Sequence, residues 1–174
     1  VHEQIIVPIR IAGLLTLLSP PVPNWIYLFF NALYHLGLAL WIGGAVALGA
    51  LTAPELFRAM PRQQAGAIFG SILRRFARVR LAALVMIVIG AGAKFLRWET
   101  HAISPWLAIR WTAIVFLACA LIYEIVSINR LMKAMPTDAP ADDPRRELFN
   151  RLHRRVERVM KASVFAAFVA LIFS

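Results

Sequence analysis

His35 is the residue whose type and setting most invite chemistry, because it is the only histidine inside a long uncharged run, Trp25 to Pro54. A neutral imidazole held among apolar helices can ligate haem iron, the magnesium of a chlorophyll-type pigment, or copper. Trp41, Gly43 and Gly44 follow on the same run. They add an aromatic wall and two positions where a flat cofactor such as a carotenoid or a pigment ring could approach the backbone. The more common role of such a histidine is a hydrogen bond to a neighbouring helix, since polar side chains within membranes often join helices. His2, His101 and His153 fall outside the apolar spans, so the residues offer no second histidine within a span and no Met-rich or Cys-containing copper motif.

Four charged residues interrupt the apolar runs: Arg80, Lys94, Arg110 and Glu124. Arg110 and Glu124 are about 21 Å apart along one helix at 1.5 Å per residue, so they cannot pair with each other. Glu124 is expected to form an ion pair with Arg78 or Arg80. Arg80 and Lys94 have stems long enough to snorkel to the two interfaces, and Arg110 is expected to reach outer head groups in the same way. The chain shows no nucleophile–base signature, glycine-rich phosphate loop or spaced metal-ligand cluster, so nothing in it argues for catalysis. Cys119, the single cysteine, excludes an internal disulfide and is expected to serve as packing in an apolar run.

The elements that must hold these residues follow from composition. Of 174 residues, 60% are hydrophobic and 16% charged, which is more apolar and less charged than a soluble domain. About 20 apolar residues span the hydrocarbon core, and the runs here reach that length. The expected fold is all-α: an integral membrane bundle of about four transmembrane helices, with spans near 25–53, 79–96, 105–129 and 156–174. The fourth is short unless its basic approach also enters the interface. Residues 1–24 read as an interfacial helix and a Pro-rich linker, because Ile11 to Ser19 is too short an uncharged run to cross a bilayer and Pro20, Pro21 and Pro23 break helix. Asn24 is expected to cap the first span, and Pro54 to end or kink it. Between 54 and 80, Leu56, Phe57, Ile68, Phe69, Ile72, Leu73 and Phe76 recur at helical spacing among arginines, predicting an amphipathic helix on the inner surface. Ala39, Gly43 and Ala47 form a small-residue ridge at four-residue spacing, and Gly90 and Gly92 lie near the far end of the second span. Such positions let another helix come close.

The net charge of +10 does not mark a nucleic-acid binder, because the basic residues interrupt apolar spans and form no basic domain. Anionic lipid head groups are the simpler partner. Fifteen basic residues fall in the segments 54–80 and 130–161, against four elsewhere. By the positive-inside rule those two segments face the cytoplasm and both termini face outward, as in a bacterial inner-membrane protein. The expected role is a non-catalytic subunit packed among other membrane subunits, holding a hydrophobic cofactor such as a carotenoid, a chlorophyll-type pigment, haem or lipid. The alternatives are a haem-linked oxidoreductase and a copper-handling protein.

The run His35-Leu-Gly-Leu-Ala-Leu-Trp41-Ile-Gly43-Gly44, then Ala53-Pro54-Glu55-Leu56-Phe57-Arg58 and Pro61-Arg62-Gln-Gln-Ala-Gly66-Ala-Ile-Phe69-Gly70, resembles the copper-resistance-D-like membrane family. The likeness is greatest to its branch of small four-helix proteins described only as a domain of unknown function. It covers residues 30–80, with the rest similar in hydropathy alone. Relatives in that wider group are associated with copper handling, and another branch binds haem in porphyrin oxidation. The resemblance therefore implies a ligand role for His35.

Overall fold

The computed structural model describes residues 23–99, 104–134 and 144–174, and among them there is no strand. The expected interfacial helix and all but the last two residues of the Pro-rich linker at 1–24 lie outside the described residues. Helix α1 (Asn24–Val46) runs through a π-helical segment (Ala47–Thr52) into α2 (Ala53–Ala59). Helix α3 (Arg62–Lys94) ends in a second π-helical segment (Phe95–Glu99), and α4 (Pro105–Ala134) and α5 (Pro144–Ile172) complete the bundle.

Three sequence expectations are corrected locally. Asn24 is not the cap: Pro23 takes that position without a side-chain cap, and its carbonyl accepts from Ile26 N–H at 3.0 Å. Pro54 does not end the first helix. It has no N–H to give and its ring crowds the carbonyl four residues back; the wider π turn immediately before it relieves that crowding, with Thr52 Oγ1 donating to Ala47 O at 3.2 Å. The helix stops instead at Met60, whose backbone is extended, as the residue before a proline prefers. The predicted amphipathic segment is helical, but Arg62 to Val79 continues into the second span as one 33-residue helix. At about 50 Å such a helix is longer than the ~30 Å hydrocarbon core, so its arginine-rich start projects beyond it.

The packing is a closed ring: α1 against α3, α3 against α4, α4 against α5, and α5 back against α1. Every neighbour is antiparallel. Gly37 meets Ala83 and Ile87 while Gly90 meets Phe30 and Tyr34, and at both a Cβ would stand 2.7 Å from the opposing backbone carbonyl. Glycine is what lets α1 and α3 approach so closely. Beyond Ala65, the buried residues on α3 fall at Arg80, Ala83, Ile87, Gly90, Ala91 and Lys94, the three-and-four spacing of a bundle seam. They meet Tyr34, Leu38 and Trp41 from α1, Ile114, Leu117 and Leu121 from α4, and Ala167 and Ala170 from α5.

Leu36, Val85, Phe116, Ile122 and Phe165 point outward and are exposed, whereas Arg80, Lys94, Arg110 and Glu124 are buried. An aqueous protein distributes its side chains the other way. Among the described residues, the helices Asn24–Ala59, Arg62–Glu99 and Pro105–Ser127 are long and apolar enough to cross a membrane. Helix α5 is the exception: charges continue to Lys161, and only its last turns are apolar.

Candidate functional site

Helices α3 and α4 carry their charges at matched heights. Arg80 and Lys94 on one, and Glu124 and Arg110 on the other, are each about 21 Å apart, close to four turns, so each pair lies on nearly one helix face. Antiparallel packing then places Arg80 opposite Glu124 at one end of the bundle and Lys94 near Arg110 at the other.

At the first end, Arg80 and Glu124 form a buried ion pair through Nη1 and Oε2. Arg80 Nη2 donates to Ser163 Oγ at 2.9 Å, and Ser163 donates onward to Met160 O at 2.8 Å. The guanidinium lies over the Trp41 ring, 4.0 Å from its centroid, the geometry of a cation–π contact. All four long helices thus meet at one cation. Among the described residues, Arg80 Nε, Glu124 Oε1 and Trp41 Nε1 find no hydrogen-bond partner. A cavity of about 20 Å³ adjoins Arg80 and Glu124, walled by Leu73, Phe76, Ala77, Val156 and Met160, large enough for one water. The expected Glu124 pair with Arg80 is therefore present, while Arg80 does not snorkel to the interface: it is 2% exposed, because a fixed carboxylate and an aromatic face replace its water.

At the second end, Arg110 grips Glu99 with its two terminal guanidinium nitrogens, Nη1 and Nη2, the Nη1 bond measuring 3.0 Å. Arg110 is buried, so the expected reach to outer head groups is replaced by this two-pronged pair. Lys94 is buried too and does not act as an interfacial anchor. Its Nζ donates to Asn31 Oδ1 at 3.0 Å and lies 5.4 Å and 5.8 Å from the ring centroids of Tyr34 and Tyr27. Tyr34 donates in turn to Ala170 O at 2.6 Å.

Glu99, Asn31, Ser163 and the two tyrosines were not singled out from sequence. Glu99 did leave a signal: once Arg80 opposes Glu124, the equal spacing brings Lys94 and Arg110 together, and two buried cations call for an acid. Glu99 is the only acidic residue between them in the chain.

The four residues expected to line a cofactor site on α1 face different ways. His35 is half-buried, with Nδ1 2.7 Å from Asn31 O and Nε2 3.2 Å from Ser174 Oγ at the end of α5. Trp41 is buried beneath Arg80. Gly44 abuts the Phe76 ring, and Gly43 faces outward with nothing within 4 Å of where a Cβ would stand. Among the described residues no group of three His, Cys, Asp or Glu could hold a metal ion. Cys119 is exposed on the outside of the bundle, not packed within it.

Fold and site together define an all-α membrane bundle closed by two buried charge clusters. The family model described as "Domain of unknown function (DUF4149)" matches residues 36–139, more than half of the chain, and the protein belongs to that family. The match takes in Trp41, Gly43, Gly44 and the four buried charges, and begins one residue after His35. It carries no link to copper resistance. No curated protein and no solved structure matches the chain.

Proposed function

We propose that this chain is a non-catalytic integral membrane subunit that packs into a larger membrane complex, with the outward ridge of α1 as its docking face. The observation that carries the reading is the division of labour among small residues. Gly37, Gly44 and Gly90 are consumed by close contacts inside the bundle, whereas Ala39, Gly43 and Ala47 are exposed and Gly43 and Gly49 have open space before them. An unpartnered ridge of this spacing fits a transmembrane helix of another subunit, because small residues let backbones approach where lipid tails supply no hydrophobic drive. The same ridge would accept the flat face of a carotenoid or pigment. We place the basic segments 54–80 and 130–161 on the cytoplasmic side of a bacterial inner membrane; thiol labelling of Ser104→Cys and Thr137→Cys from opposite faces checks that sidedness.

Mild-detergent extraction from the native membrane tests the reading. The tagged chain should migrate well above its 19.5 kDa together with other polypeptides, and Gly43→Leu should release it as a folded bundle. A monodisperse chain without companions contradicts it.

His35 supports a second reading. With Nδ1–H donating to Asn31 O, Nε2 is left to accept from the Ser174 hydroxyl at 3.2 Å, and a metal that displaced that hydroxyl would find the ring oriented as in histidines that hold metals. One such ligand fits haem iron or the magnesium of a pigment, as the copper-resistance-D-like resemblance implies for haem. The donor set does not fit a closed copper site, which needs further nitrogen or sulfur ligands. A visible absorption band retained on mild extraction and lost in His35→Ala supports this reading, and a colourless preparation removes it.

A further inference from the structure

Helix α5 carries basic residues both with and without a carboxylate partner. Glu147 pairs with Arg151, and Glu157 pairs with Lys161. Arg155 and Arg158 have no carboxylate partner among the described residues; Arg158 Nε donates to Arg154 O at 3.3 Å, which helps set the direction of its guanidinium. Arg155, Arg158, Val159 and Ala162 fall at i, i+3, i+4 and i+7, one stripe of the helix. Opposite them on α4 stand Tyr123 and Phe116, and the six residues line an open groove of about 400 Å³ between the two helices.

Polarity changes along the groove. Arg155 and Arg158 occupy the end belonging to the basic half of α5, Tyr123 neighbours Glu124 of the buried pair, and Phe116 lies about 10 Å further along α4 toward the apolar centre. Beyond Ala162 the last turns of α5 are apolar, with Phe165 and Phe168 exposed. The sequence therefore presents two guanidinium groups at head-group depth, a phenol beside them, and an apolar channel leading inward. Two arginines three residues apart are neighbours on a helix surface and can offer parallel N–H donors to the oxygens of one phosphate.

We propose that the α4–α5 groove is a binding site for one anionic phospholipid, with its phosphate held by Arg155 and Arg158 and an acyl chain laid along Tyr123 and Phe116. Charge complementarity selects this occupant. The paired bases Arg151 and Lys161 are already neutralised, so the site is local and does not follow from overall net charge. An apolar helix of another protein would bury the two guanidinium groups without a counter-ion, at high cost.

The test uses the full chain in nanodiscs of phosphatidylcholine containing a minor fraction of phosphatidylglycerol, with lipids retained on the released protein counted by native mass spectrometry. The wild type should retain one phosphatidylglycerol at least tenfold in preference to phosphatidylcholine. Arg155→Gln with Arg158→Gln should abolish that preference, while Arg151→Gln with Arg154→Gln, an equal loss of charge away from the groove, should keep it. Circular dichroism establishes that both double variants remain helical; if the groove variant unfolds, Phe116→Ala should still reduce retention severalfold. Equal losses in the two double variants, an unchanged preference in the groove variant, or displacement of the lipid by millimolar inorganic phosphate would each overturn the proposal.

Discussion

Arg80 and Glu124 are held in place by mutual need. Removing either carboxylate or guanidinium leaves the other buried without its counter-charge, a loss that costs about 3–5 kcal/mol, whereas exchanging both for apolar side chains of similar volume is often neutral. Glu124→Leu and Arg80→Met should therefore each lower the unfolding temperature markedly in mild detergent, and the double variant should recover most of the loss. Additive losses would mean that Trp41 and Ser163, not the carboxylate, carry the site. Much of this residue-scale account was legible in the sequence, because a lone acid on an apolar helix must find a base and only Arg78 and Arg80 lay at its depth. Burial of Lys94 was not legible. Its partners are an amide and two aromatic rings, none of which advertises itself by charge. The paired Arg110 escaped for a different reason: Glu99 lies beyond residue 96, where the second span is expected to end, so no acid within a span answers Arg110.

Backbone approach decides the element scale. Gly90 and Gly37 hold α1 and α3 together because any Cβ would stand 2.7 Å from an opposing carbonyl oxygen. Gly90→Leu should push the helices apart and strongly destabilise the bundle. At Gly92, where nothing lies within 4 Å, Gly92→Ala should be neutral or stabilise by up to about 1 kcal/mol through helix propensity. Thermal unfolding of the two variants side by side checks the contrast; equal effects would contradict the seam. The sequence announced small residues on both helices but not which of them face inward. Successive residues turn by about 100° around a helix, so neighbours such as Gly43 and Gly44 end on different faces. In the same way, Pro54 marked a break in regular geometry without revealing that a π turn would carry the helix through it.

At the scale of the whole molecule, apolar composition made the bundle and its membrane solvent readable at once, since long uncharged runs have few other solutions. Helix α5 was harder to place. Its charges continue to Lys161, yet its last turns complete the ring by closing on α1 and α4 through Tyr34–Ala170 and the stacked rings of Trp106 and Phe173. Away from the basic start of α3 and the basic half of α5 the outward surface is largely apolar, and what distinguishes α1 there is a ridge without large side chains. Cross-linking from that ridge addresses the proposed role most directly. Ala39→Cys and Ala47→Cys, each in a Cys119→Ser background, would be coupled to a photoreactive maleimide in native membranes, with Val85→Cys on the outward face of α3 as the comparison. The account predicts discrete adducts to other polypeptides from the two ridge positions and none from position 85; adducts from all three alike, or from none, would contradict it.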